Sequence, residues 1–388
     1  MDICAGLSGL AAPISLKTEF GLADDLNGII IGTSSFAYIT AALLAGILSD
    51  RWGATLTIRI GTAIIALDCL VYSFAQSKWL FILCTLAAPL GHAFFWPSFQ
   101  AWFGRGVDRR ETARRVGIFS VSWSLGLNAV GPKLGGELME RSPRLPFATA
   151  CVISIAVFLF FQWLKPELER HETHAGGIAD EDHPPSIRRK FLVTARIANL
   201  MAVYAIVTLR TFIPLVCVDW KITASAIGTL IMVLGVSHSG SFLVLSLTEK
   251  WHFRFRYLVG GQVLGMAGLL ILGVGGSRFL DTTAEGAATL GISLAIPALI
   301  LVGLMAGICF MSSSFYSLYG QEEKGKNSGI NESIIGMSNG LALYLGGGAV
   351  HWLGSMGPYW TCGLVVGLCL VFQVWLYKKE KVAPSLRN

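Results

Sequence analysis

Seven ionisable side chains lie inside long apolar stretches of this chain: Asp68, His92, Lys133, Arg210, His238, Glu332 and His351. Holding a charge among apolar groups is costly, so each is a candidate for function until a partner explains it. His92 and His238 could exchange protons near neutral pH, and Arg210 could hold an anionic or strongly polar group with its planar fork of donors. The bland alternatives are a neutral imidazole bonded to nearby backbone and a guanidinium that snorkels to a polar surface. Trp123, Asn128, Ser313, Tyr316 and Asn339 share the same apolar stretches and could add hydrogen bonds and an aromatic wall. Lys133 stands near the end of its stretch, where it could equally reach the surface.

Other chemistry is excluded. There is no HExxH, no GxSxG and no pair of carboxylates at a shared depth, and the eight cysteines form no CxxC pair. Gly320 to Asn327 is one residue from a phosphate-binding loop, but Asn327 stands where Ser or Thr must bind the metal. His171, His174 and His183 follow no metal-ligand spacing. No metal and no cofactor is expected, and no catalytic role.

These side chains need elements that can hold them in an apolar solvent. The 388 residues are 53% hydrophobic and 14% charged, far below the roughly one quarter charged in soluble domains. A bilayer core about 30 Å thick needs about 20 apolar residues per helix. Eleven runs qualify, near residues 27–48, 56–75, 79–103, 116–138, 146–164, 193–218, 224–247, 257–276, 290–315, 329–353 and 358–377. Ile3 to Leu16 precedes them as a shorter stub, about 21 Å if helical, which reads as the outer end of a truncated first helix. The fold class is therefore an all-α polytopic membrane protein with eleven complete spans and a partial first one.

The net charge of +6 has a topological reading. Sorting Lys and Arg by alternate connections puts 22 on one side, six on the other and two, Lys133 and Arg210, inside spans. That bias places the loop around Arg109 and the C-terminus in the cytoplasm. No basic patch with interleaved aromatics is left over for nucleic acid.

The polar stretch after Lys165, with Gly176-Gly177 and Pro184-Pro185, reads as a linker over 165–192 between bundles 1–164 and 193–388, six segments each if the stub is counted. The halves echo one another. Gly91-His-Ala-Phe-Phe-Trp-Pro-Ser-Phe99 aligns with Gly307-Ile-Cys-Phe-Met-Ser-Ser-Ser-Phe315, and Asp50-Arg51-Trp52 with Glu249-Lys250-Trp251. The turn after the second segment reads Gly46-Ile-Leu-Ser-Asp50-Arg51-Trp-Gly53. The fifth segment carries Gly126, Gly131, Pro132, Gly135 and Gly136, a small-residue face with a proline that allows close packing and bending.

With these motifs the chain resembles the major facilitator superfamily over essentially its whole length. The resemblance implies two six-helix bundles rocking about a midplane site, with segments one, four, seven and ten lining the cavity. It puts His92, Arg210 and His238 near midplane on lining or flanking helices, as first choices for solute binding and proton coupling. It implies a cytoplasmic latch in which Asp50 caps the eleventh segment, with Gly46, Arg51, Gly53 and Glu332 around it. Ala54 and Thr55 replace the family's basic pair there. The glycine-proline stretch is similar to one used most often by proton-coupled antiporters. The expectation is a secondary active transporter of a small solute in the plasma membrane, or inner membrane if bacterial. It is monomeric and proton-coupled, and favours export. The alternatives are proton-coupled uptake of an organic anion and a non-transporting solute sensor.

Overall fold

The computed structural model describes residues 1–103, 118–163, 183–279, 284–318 and 324–379. Among the described residues the chain is helical, without strands, and runs as α1 (Asp2–Thr18), α2 (Asp24–Trp52), α3 (Ala54–Phe74), α4 (Lys78–Phe103), α5, α6 (Leu145–Trp163), α7 (Pro185–Asp219), α8 (Ala224–Ser246), α9 (Phe255–Phe279), α10 (Ala284–Leu318), α11 (Lys324–Leu353) and α12 (Gly357–Lys379). Helix α5 comprises 118–125, a π turn at Gly126–Val130 and a final stretch Gly131–Arg141.

Local chemistry sets the boundaries. Gly53, at φ +91°, ends α2 and starts α3 in a single residue, a conformation that L side chains rarely adopt. Thr223 caps α8 by accepting from the Ala226 N–H at 3.3 Å. Pro184 and Pro185, read from sequence as linker, instead start α7: a proline in the first turn lacks only an N–H that has no intrahelical partner anyway. Helix α7 therefore begins inside the expected 165–192 linker, whose residues 165–182 lie outside the described set. Helix α1 is three residues longer than the apolar stub, about 25 Å.

Ten helices among the described residues are long and apolar enough to cross a membrane; the start of α5 lies outside that set. The outer surface suits lipid, with Leu67, Leu83, Val152, Leu364, Leu368 and Val371 exposed. Trp79, Trp163 and Trp352, at 77%, 90% and 82% exposure near helix ends, have the amphipathic character of membrane-interface anchors.

The packing repeats. In the first six helices α1 packs on α5 and α6, α2 on α4, and α3 on α4 and α6; in the last six, α7 packs on α11 and α12, α8 on α10, and α9 on α10 and α12. Adding six to each number in the first set gives the second. Three seams join the sets: α1 with α7, α2 with α11, and α5 with α8.

The seams are tied together at the end of the molecule that carries Lys17. Its ammonium contacts Asp24 of α2 at 2.9 Å and Asp219 of α7 at 2.8 Å, and donates to the Leu215 carbonyl at 2.8 Å. His351 of α11 lies 3.4 Å from Asp25 of α2. The Ser225 N–H of α8 donates to Glu140 of α5 at 2.9 Å. Deeper in, backbones approach without side chains between them. A Cβ on Gly347 would lie 2.6 Å from the Asp25 carbonyl, and Cβ atoms on Gly136, Gly228 and Gly235 would strike backbone of the partner helix.

Candidate functional site

The α5–α8 seam carries the site. In α5 the π turn closes with the Gly131 N–H bonded to the Gly126 carbonyl, five residues back. The extra residue per turn puts Gly126 and Gly131 on one face, against α1: a Cβ on Gly126 would lie 2.8 Å from Asp2 Cβ, and one on Gly131 2.7 Å from Gly6 Cα. Gly135 rests on Leu7, whereas Gly136 and Pro132 face Ala224 and Gly228 of α8. Pro132 has no N–H to give the Asn128 carbonyl four residues back. Gly235 of α8 lies directly against that carbonyl, where only a Cα–H fits. The motif read as helix packing thus makes α5 a slab pressed between α1 and α8, with one π turn that re-aims its side chains.

Those side chains meet His238 of α8, which is 1% exposed. Ser124 Oγ lies 2.9 Å and Asn128 Nδ2 3.5 Å from His238 Nδ1. An Asn128 N–H donating there makes Nδ1 the acceptor and leaves the neutral ring's proton on Nε2, whereas Ser124 suits either tautomer. Among the described residues, Nε2 is buried without a hydrogen-bond partner, as is Asn128 Oδ1. Around the imidazole, Phe242 stands at 4.6 Å, Trp123 of α5 edge-on at 5.9 Å and Phe310 of α10 at 6.3 Å between ring centres. Trp123 and Phe310 stack across the two halves at 5.1 Å and 20°.

Arg210 of α7 completes the arrangement. It sits deep among the helices yet keeps some accessible surface, and its charge is felt at His238. One guanidinium nitrogen would be 3.0 Å from a Cβ on Gly9, so the absence of a side chain on α1 makes its room. Among the described residues Arg210 makes no ion pair and no hydrogen bond. A guanidinium held this deep without a protein partner is costly to keep.

The remaining expected site residues are spread elsewhere. His92 of α4 lies near the amino end of α1, with Nδ1 buried and unmet, and is not in the His238 cluster. Lys133 lies towards the Lys17 end of the α5–α8 seam, 2.9 Å from Glu137 and 3.3 Å from Ser225 Oγ. Tyr316 accepts from the Phe253 N–H at 2.8 Å and pins the α8–α9 loop. Ser313 donates to Asn331 Oδ1 at 2.7 Å, and Asn199 to the same oxygen at 3.2 Å, a buried node joining α7, α10 and α11. Asn339 of α11 is part-buried, its Oδ1 unmet.

In the expected latch, Arg51 is exposed and Glu332 faces α2 near Tyr38. The surroundings of Gly46 and the side chain of Asp50 lie outside the described residues, as does the loop around Arg109. Residues that the sequence reading missed are Ser124, Phe242, Phe310, Asn199 and Asn331. Phe310 was within reach, since the internal repeat pairs it with Phe94.

Comparison with known proteins places this architecture. The model of the Major Facilitator Superfamily matches residues 2–318. The chain is 22% identical over 382 residues to the Multidrug resistance protein MdtH of Shigella boydii serotype 4, an alignment that covers 96% of this chain and 90% of that one. It is 23% identical over 383 residues to MdtH of Escherichia coli K12, with the same coverage of 96% and 90%. It is 28% identical over 282 residues to the uncharacterized MFS-type transporter YfkF of Bacillus subtilis, covering 66% of this chain and 68% of that one.

Proposed function

The chain belongs to the Major Facilitator Superfamily and is a multi-pass membrane transporter; from that premise we propose that it moves a small solute by alternating access, coupled to protons, with export in exchange for protons as the favoured mode. The observation that carries the proposal is the pairing, across α7 and α8, of an unpaired guanidinium, Arg210, with a buried imidazole whose Nε2 has no partner. The arginine offers a binding point for a polar or anionic group, the imidazole a proton site, and Trp123 and Phe310 a stacking surface for a planar ring. The glycine-proline stretch of α5 and the printed name of the MdtH relatives, multidrug resistance proteins, support export.

In this reading the Lys17 end is the outer side, and the tied seams shut it. The solute then enters from the cytoplasmic side, where the Asp50, Arg51, Gly53 and Glu332 latch would close in the opposite state. The protein acts as a monomer in the plasma membrane, the inner membrane in a bacterium, with its C-terminus in the cytoplasm.

Protein reconstituted in liposomes and offered a panel of labelled planar solutes should transport at least one of them, faster under an imposed pH gradient. Folded protein that moves none of a broad panel would contradict transport, and binding without flux would favour a sensor. A second reading rests on one specific observation: Arg210 has no carboxylate partner among the described residues, so a proton on His238 would add a second positive charge near it. An anion on Arg210 and a proton on His238 would then assist each other's binding, as proton-coupled uptake of an organic anion requires.

A further inference from the structure

A second polar cluster lies away from the central site, at the end of the molecule opposite Lys17. Between α7, the α8–α9 loop, α9 and α10 is a small recess of about 10 Å³, room for little more than a water molecule. Phe191, Trp251, Leu258 and Ile308 form its apolar walls, and Arg254 and Tyr257 stand at its mouth. Arg254 and Arg256 are both exposed, and both guanidiniums sit beside the Tyr257 hydroxyl, with Arg256 Cζ 5.2 Å from the ring centre. Neither arginine forms an ion pair among the described residues. The loop's acid, Glu249, acts on His252 instead; burial lowers the pKa of that imidazole, a shift that Glu249 opposes. Two like charges held at one phenol oxygen repel each other, and an anion between them removes the repulsion.

The mouth of this recess adjoins the exposed apolar face of α9. From Tyr257 the exposed face of α9 continues through Gly260, Val263 and Leu264, and a Cβ on Gly260 would have nothing within 4 Å. Gly260 is therefore a notch in an apolar strip that begins at two arginines. A free phosphate gains nothing from that strip, whereas an acyl chain does.

We propose that Arg254, Arg256 and Tyr257 bind the phosphate of an anionic phospholipid in the adjacent leaflet, with an acyl chain along the Gly260 notch of α9. The chemistry is charge-assisted and directional at the headgroup, and apolar along the chain. The site lies on the lipid face of the second half, so its occupancy is separate from that of the central solute site.

Native mass spectrometry of the full chain in detergent, titrated with dioleoylphosphatidylglycerol or dioleoylphosphatidylcholine, tests this directly. Wild type should retain phosphatidylglycerol about thirtyfold more tightly, as two basic side chains at an anionic headgroup imply. The Arg254→Gln/Arg256→Gln double variant should bring the two lipids together, whereas Lys378→Gln/Lys379→Gln, at the same end of the molecule, should not. Gly260→Phe fills the notch without changing charge and should weaken phosphatidylglycerol by about tenfold. Equal binding of the two lipids by wild type, or an unchanged preference in the arginine double variant, would overturn the proposal. Displacement of the lipid by millimolar inorganic phosphate, with Gly260→Phe behaving as wild type, would assign the arginines to a soluble anion and overturn the lipid reading too.

Discussion

Replacing Arg210 with methionine should lower the transport of an anionic or strongly polar solute by about thirtyfold to a thousandfold and leave the fold at least as stable. The size follows from truncating a desolvated charge-assisted contact, about 2–4 kcal/mol. The stability follows from the other side of the same physics. Among the described residues the guanidinium has no partner, so removing it relieves a cost of burial rather than breaking a bond. Methionine keeps much of the volume beside Gly9 without the charge. Flux in liposomes and thermal unfolding, measured on one preparation, check both halves. A variant that transports normally but melts early would make Arg210 a structural residue.

The second large effect belongs to Gly235, because α5 and α8 touch there through backbone alone. In Gly235→Ala the new methyl collides with the Asn128 carbonyl, so the helices must part. The overpacking should destabilise by about 1–3 kcal/mol and draw Ser124 and Asn128 away from His238. Gly240, five residues further along the same helix, has nothing within 4 Å of its Cβ position. Gly240→Ala should therefore be neutral or slightly stabilising through helix propensity. Thermal unfolding of the two variants side by side reads the difference. Equal melting temperatures would mean that the seam at Gly235 is looser than described.

The sequence carried the fold far because its signals are ones that lipid enforces. Run length follows from the need to cross a bilayer, and the same six-helix packing pattern appears twice. The candidate site was legible in its charged members and in two uncharged ones, Trp123 and Asn128, which lie against His238. His238 and Arg210 stood out because an ionisable group in an apolar run is costly. Asn128 and Asn339 were singled out among the amides, whereas Asn199 and Asn331, which stand nearer the ends of their apolar runs, were passed over although they anchor a buried node. Which candidates converge could not be read. These helices are apolar on nearly every side, which removes the periodicity that would assign a face. The π turn then shifts the register of α5 by a residue, and nothing in Gly126 to Val130 announces it. Lys133 illustrates the opposite case: Glu137 stands four residues on, a spacing that already offered a local ion pair.

The central claim is that proton and solute meet at the His238–Arg210 site. Its most direct test is the proton exchanged with a weakly buffered solution when purified protein binds a solute identified by the liposome panel, in wild type and in His238→Gln. Release would mark exchange, and uptake would mark cotransport. In either mode the account predicts that wild type exchanges up to about one proton per solute bound and that His238→Gln, while still binding, exchanges none. The same proton count in both proteins, or no exchange in wild type, would contradict it.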